Sequence, residues 1–81
     1  MNVDFLKKKL LSMPNVSYLD VTGDGMHFQI RIVSNEFEGK NKISRQRMVY
    51  QYLKEWLEDG SLHAVELNTL TPLEWEKTNH E

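Results

Sequence analysis

From His27 to Ile32 the chain alternates without a break: His27, Gln29 and Arg31 are polar, while Phe28, Ile30 and Ile32 are apolar. A period of two belongs to a strand with one buried face and one wet face. Just before it, Gly23-Asp24-Gly25 is a turn signal, because Asp-Gly supplies the positive φ angles that hairpin turns need. Val16 to Thr22 reads as the partner strand, with Leu19 and Val21 on one face. The chain is therefore committed to an antiparallel hairpin, and the remaining elements must cover its apolar face.

Two helical patterns can do so. From Ser44 to Glu58, residues Met48, Val49, Tyr52, Leu53, Trp56 and Leu57 form a wide apolar stripe, opposite Arg47, Gln51, Lys54 and Glu58. Asn41 or Ser44 can cap its start, and Asp59-Gly60 ends it. From Asn2 to Ser12, Val3, Leu6 and Leu10 recur at helical spacing, with Asn2 as cap, Pro14 as stop and Lys7, Lys8 and Lys9 on a solvated face. Asn35 to Asn41 is a loop. Leu62 to Leu70 is a third strand, with His63, Val65 and Leu67 on one parity, and the long helix before it is a crossover that allows it to run parallel to the second strand. Thr71-Pro72-Leu73-Glu74 opens a last helix with a capping box, Trp75 folds back onto the domain, and the tail from about Thr78 is frayed. The predicted fold class is α+β, in the order α-β-β-α-β-α, with a small three-stranded mixed sheet and helices packed on one face. Residues 1–81 form a single domain.

The composition narrows the chemistry. Hydrophobic residues are 40% and charged residues 27% of the chain, which suits a folded domain. Ten basic and twelve acidic side chains leave a net charge of -2, so no global positive field draws the chain to nucleic acid or an anionic membrane. There is no cysteine, which excludes disulfides, thiolate metal sites and cysteine nucleophiles. No apolar run approaches the roughly 18 residues of a membrane span, and the N-terminal layout is not that of a signal peptide. The expected location is the cytoplasm, or an organelle after processing.

No convergent catalytic set is visible: the acids lie near turns and in loops, no serine stands in a nucleophile elbow, and no glycine-rich phosphate loop is present. An enzyme is not expected. Two leads remain. His27 opens the second strand and His63 the third, so parallel strands bring both imidazoles to one end of the sheet, beside the Gly23 to Met26 loop, although their parities differ. His80 lies in the tail without an assigned role. The second lead is the segment from Gly39 to Lys54, which carries Lys40, Lys42, Arg45, Arg47 and Lys54 and no acid before Glu55, a pattern that can meet phosphates. A solvated basic face is the plainer reading of it.

Several motifs occur in order along the chain: Phe37-Glu38-Gly39-Lys40, Arg45-Gln46-Arg47-Met48-Val49-Tyr50, His63-Ala64-Val65, and Thr69-Leu70-Thr71-Pro72-Leu73-Glu74-Trp75. Together they closely resemble the BolA family, from about Phe5 to Trp75, and Gly23-Asp24-Gly25-Met26-His27-Phe28-Gln29 looks most like its acid-stress, IbaG-like subgroup. The resemblance implies a class II KH-like fold and a binding module. It implies pairing with a monothiol glutaredoxin around a shared [2Fe-2S] cluster. The glutaredoxin cysteine and glutathione would supply thiolates, His63 would supply an imidazole, and the isolated chain would hold no cofactor. His27 is a second candidate ligand, and Phe37, Gly39, Arg45 and Arg47 are expected in the partner-binding surface. The resemblance also implies an alternative, a DNA-binding transcriptional regulator of stress response or cell morphology. Its contacts would be Lys40, Lys42, Arg45 and Arg47, because Gly39 is not followed by the second glycine of a KH Gly-x-x-Gly loop. Free protein is expected to be a monomer or weak homodimer. Two departures stand out: Gln46 replaces the histidine of the Arg-His-Arg found in many members, and the hairpin loop offers neither cysteine nor histidine as a second ligand.

Overall fold

The structure is a computed structural model and describes residues 1–79; His80 and the final residue lie outside the described region. Helix α1 covers Val3–Leu10, and Asn2 caps it by accepting the Phe5 N–H at 2.9 Å. It ends short of Ser12. The Ser12 and Met13 amides reach only three residues back, to the Lys9 and Leu10 carbonyls, which tightens the chain into a turn ahead of Pro14. Leu6 and Leu10 are its buried side chains.

Strands β1 (Val16–Gly23) and β2 (His27–Ser34) pair antiparallel, as the alternation predicts. The register sets Leu19 against Ile32, Val21 against Ile30 and Gly23 against Phe28, with an irregularity between Val16 and Tyr18. Gly23 is required: a Cβ there would overlap the Phe28 ring and stand 2.7 Å from the His27 carbonyl oxygen. A short 3-10 turn, Asn35–Phe37, leads from β2 into the loop before the long helix.

Helix α2 covers Lys42–Glu58, two residues longer at its start than its apolar stripe suggests. Of the two candidate caps Asn41 takes the role, its Oδ1 accepting the Ser44 N–H at 2.9 Å. Val49 and Leu53 are fully buried, and Met48, Tyr52, Trp56 and Leu57 pack around them. Strand β3 covers Ala64–Leu70 and runs parallel to β2, which is the central strand of the order β1-β2-β3. It starts later than predicted because Leu62 is drawn inward, with its amide on the Trp56 carbonyl at 3.0 Å and its side chain in the core. His63 therefore precedes the strand instead of opening it.

Helix α3 covers Pro72–Asn79 and takes in Thr78, whose hydroxyl donates to the Glu74 carbonyl at 3.0 Å; the last two residues of the tail expected to fray lie outside the described region. The α+β order and mixed sheet are those predicted. Helices α1 and α2 take the face of Phe28, Ile30 and Ile32, where the core cluster lies. The expectation of helices on one face gives way at α3, because Trp75 stacks on Tyr18 at 4.5 Å between ring centroids and lies 5.5 Å from the Arg31 guanidinium. Tyr18 and Arg31 belong to the opposite, outer face, by their parity against Leu19 and Ile32. Among the described residues no helix is long and apolar enough to cross a membrane.

One polar cluster ties the C-terminal half together. The capping box is present in both directions: Glu74 Oε1 accepts the Thr71 N–H at 3.0 Å, and Thr71 Oγ1 accepts the Glu74 N–H at 3.2 Å. The same carboxylate meets Arg45 as a fork, with Nη1 to Oε1 at 2.7 Å and Nη2 to Oε2 at 3.2 Å. Arg45 also donates from Nε to the Lys40 carbonyl at 2.8 Å and from Nη1 to the Thr69 carbonyl at 3.3 Å. The guanidinium holds the Glu74 carboxyl below its ordinary value, with help from the Thr71 amide. Truncating Arg45 to leucine should cost about 1–3 kcal/mol in urea unfolding at neutral pH, since charged hydrogen bonds carry that much. A depressed carboxyl stabilises the fold above its unfolded pKa of about 4.3 and loses that contribution as pH falls through the folded value. Glu74→Gln should therefore lower stability at pH 7 and shrink the difference from the parent chain as the pH drops through that range. An acid-unfolding profile shifted equally at all pH values would reject the assignment.

Candidate functional site

The parallel pairing of β2 and β3 gives the sheet two distinct ends. His27 pairs with Ala64 at one end and Val33 with Leu70 at the other. The first end collects the hairpin turn, His27 and the segment that carries His63.

That segment is built to expose one imidazole. Asp59 closes α2, and its Oδ1 accepts the Ser61 N–H at 2.8 Å. Hydrogen bonds from Ser61, the side chain ahead of the amide, hold the Asp59 carboxyl below its ordinary value. Gly60 takes φ +81°, which reverses the chain, and Leu62 plugs the core. His63 follows the plug directly and is exposed, just before Ala64 enters the sheet beside His27. The backbone is anchored on both sides of the ring while the ring itself faces solvent.

The hairpin turn is organised by Asp24. Its Oδ1 accepts the His27 N–H at 2.8 Å and the Met26 N–H at 2.9 Å, and these amides hold the carboxyl below its ordinary value. Its Oδ2 lies 3.8 Å from His27 Nδ1, and the His27 side chain is 73% exposed. His27 belongs to the outer face with Gln29, whose Nε2 donates to Glu66 Oε2 at 3.1 Å; the two strands leave a shallow depression there between Thr22, His27, Ala64 and Glu66. The structure thus places His27 and His63 at one end of the sheet, on opposite parities, as the sequence implies. Among the described residues no three His, Asp or Glu side chains stand together as a metal site. With no cysteine in the chain, this end can offer ligands to a shared site but cannot close one around a divalent ion alone.

The expected partner-binding and basic residues are redistributed. Phe37 is fully buried in the core cluster, so its side chain cannot be a docking contact; it pins the loop between β2 and α2. Arg45 is only 14% exposed, and its guanidinium is committed to Glu74, Thr69 and Lys40, so it is a structural tie and not a surface cation. Gly39 is exposed at φ +74° with open space around it, and the left-handed turn is what demands glycine there. Lys40 Nζ donates to the Glu36 carbonyl at 2.9 Å, and Lys54 faces Glu58 at 3.9 Å. Lys42 and Arg47 are exposed without a partner among the described residues. Of five cations in the basic segment, two remain unengaged.

These residues also sit at the wrong end to meet His63. The loop before α2 follows the end of β2, and α2 then returns to the His63 end. Gly39, Lys42 and Arg47 therefore lie about one strand length from His63, roughly 20 Å for a strand the length of β3. Sequence reading missed Glu74 as the acceptor that withdraws Arg45 from the surface; the capping box locates Glu74 but gives no sign of a partner that distant in the chain. Asp24→Ala should speed hydrogen exchange at the Met26 and His27 amides and leave the Leu62 amide protected. Unchanged exchange at those two positions would show that the turn does not depend on the carboxylate.

Comparison with known proteins gives a consistent result. The family described as BolA-like protein matches residues 5–74. Acid stress protein IbaG of Escherichia coli is 34% identical over 70 residues, covering 86% of this chain and 83% of that protein. Among solved structures, a bol-like protein from Babesia bovis aligns with a TM-score of 0.85 at 34% identity, covering 98% of this chain and 94% of that one. BolA1 from Arabidopsis thaliana aligns with a TM-score of 0.79 at 34% identity, covering 91% of this chain and 96% of that one.

Proposed function

The chain belongs to the BolA-like family, and from that premise we propose that it is a binding protein that pairs with a monothiol glutaredoxin and shares a [2Fe-2S] cluster with it, in iron–sulfur cluster trafficking or iron and stress sensing in the cytoplasm. The observation that carries the reading is the presentation of His63. An exposed imidazole follows a buried anchor, Leu62, and precedes a sheet strand, so its position is fixed by backbone and not by its own hydrogen bonds.

The donor set fits a shared cluster and not a private one. Cluster irons take thiolate or imidazole ligands, and this chain has imidazoles but no thiolates. His63 is the residue that would ligate, and His27 is the second nitrogen at the same end. The cluster, when bound, supplies redox-active iron in a unit that can be passed on. The partner's cysteine and glutathione would complete its coordination. The protein's part is to hold the imidazole at a fixed point and to present a surface around it, centred on the hairpin turn and residues 59–63.

The nucleic-acid alternative draws less support from the geometry. Arg45 is tied to Glu74, Lys40 bonds the Glu36 carbonyl, and Lys42 and Arg47 alone give a short electrostatic footprint in a chain of net charge -2. Titrating the protein into a cluster-loaded monothiol glutaredoxin homodimer should change the visible circular dichroism to a new end point at one-to-one stoichiometry. His63→Ala should abolish that change with its far-UV spectrum intact, because an exposed side chain is expected to alter stability by within about 0.5 kcal/mol. A folded His63→Ala chain that gives the parental spectrum would overturn the assignment. No change with the parent chain would overturn the partnership itself.

A further inference from the structure

Strand β1 is an edge of the sheet, and its phase can be read from the hairpin. The Asp24 N–H donates to the His27 carbonyl at 3.3 Å, which marks that pair as a hydrogen-bonded one. Pairs alternate along an antiparallel ladder, so Thr22 and Asp20 turn their amides and carbonyls toward β2, while Val21 and Leu19 turn theirs outward. Among the described residues those outward groups have no partner. The opposite edge is closed near its end, where Arg45 takes the Thr69 carbonyl. An unpaired edge is a template for another chain. Beside this one runs a groove. Lys7 and Leu11 of α1 form one wall, and Val16, Ser17, Tyr18 and Leu19 form the other. Leu11 is 61% exposed there. Lys7 has no ion pair among the described residues, and Lys8 and Lys9 follow it on a helix whose first turn holds one acid, Asp4.

We propose that the β1 edge and this groove bind an extended, acidic segment of a partner protein as a fourth strand, with an apolar side chain against Leu11 and a carboxylate on Lys7. Backbone bonds to Leu19 and Val21 supply the affinity, and the groove supplies the selectivity. The spacing fits. Lys7 and Leu11 are four residues apart, about 6 Å along a helix. Alternate residues of an extended strand are roughly 6.6 Å apart. Side chains of the added strand that share the face of Leu19 and Val21 turn toward α1, so the pattern recognised is one apolar and one acidic residue at positions i and i+2. Charge selects against a second copy of this chain. Two copies paired antiparallel along β1 carry both α1 helices on the same face, which sets Lys7, Lys8 and Lys9 of one against those of the other. The one acid of β1, Asp20, stands opposite Arg31 and shares its outer face, away from α1. The groove lies across the sheet from β3, so it leaves His63 free and does not rest on the glutaredoxin reading.

The test uses a labelled, capped peptide in which threonine alternates with leucine and glutamate, titrated against the full chain by anisotropy and amide NMR. Binding should shift the Leu11, Leu19 and Val21 amides, slow exchange at Leu19 and Val21, and leave His63 unmoved. Lys7→Glu should weaken binding at least about fivefold, the upper scale of an exposed ion pair, and turn the preference to a peptide with lysine in place of glutamate. Leu11→Ser should weaken both peptides alike. Peptides N-methylated on one or the other alternate set of amides test the backbone bonds without altering the protein. One form should lose binding and the other keep it. Equal binding of the two forms would overturn strand addition, and a Lys7→Glu chain that keeps the parental preference would overturn the charge reading. No binding at millimolar peptide, or shifts centred on Val65 and Leu67, would overturn the site. A dimer of the chain alone that protects the Leu19 and Val21 amides would replace the peptide with a second copy. None of these readouts involves glutaredoxin, so failure here and failure of the cluster titration are told apart.

Discussion

The Glu74 carboxylate is the point on which the C-terminal half of the fold turns. The core cluster lies between α1, α2 and one face of the sheet, and no described side chain of α3 is buried among it. What docks α3 is a polar network together with one aromatic stack, Trp75 on Tyr18. One carboxylate closes the helix's own capping box and takes the fork of Arg45, and Arg45 in turn grips the carbonyls of Thr69 and Lys40. Exposed ion pairs contribute little on their own. This one is different in kind, because Arg45 is largely shielded and its guanidinium also donates to two backbone carbonyls, those of Lys40 and Thr69. A chain this short has little apolar area left to hold a third helix, and a charge-assisted network serves instead. Trp75 completes the attachment by closing over Tyr18 and Arg31 on the outer face.

That network explains which parts of the fold were legible in the sequence. Local rules identified what local rules govern: the alternation of Phe28, Ile30 and Ile32, the Asp-Gly turn, the α2 stripe, and the reciprocal Thr71–Glu74 cap. The parallel third strand followed from a helix long enough to cross over. Residues whose role depends on a distant partner were not legible. Arg45 reads as one cation among five until Glu74, 29 residues later, is brought beside it. Phe37 reads as a loop aromatic between two acids until the 3-10 turn folds it into the core. Leu62 shares a parity with Leu70 and so looks like part of the strand, yet its amide belongs to Trp56. Periodicity does not distinguish a strand residue from a plug just outside it.

The candidate site shows the same division. That His27 and His63 share one end of the sheet follows from strand direction alone, and the register bears it out. The surrounding surface does not follow from sequence order. Gly39, Lys42 and Arg47 precede or open α2, but α2 runs back along the sheet, so closeness in a motif list becomes separation in space. A partner seated over His63 can reach them only by spanning the sheet, and a standard interface of about 800 Å² per partner is just wide enough to do so. The nearer surface is the hairpin turn and the Asp59 to His63 segment, both fixed by carboxylates that accept amides.

This separation has a functional consequence. The Arg45–Glu74 tie lies at the far end of β3 from His63, so the machinery that holds the fold shares no atoms with the group that would bind a ligand. The ligand end is left with side chains that have nothing structural to do: His63 and Met26 make no hydrogen bond, and His27 faces only the second oxygen of Asp24. Their backbones, by contrast, are pinned by Leu62, by the strands and by Asp24 Oδ1. Free donors on a fixed backbone reduce the ordering cost of binding without using any donor to build the fold. The absence of cysteine fits that arrangement, since a chain with imidazoles but no thiolates is suited to completing a partner's site and not to retaining a cluster by itself.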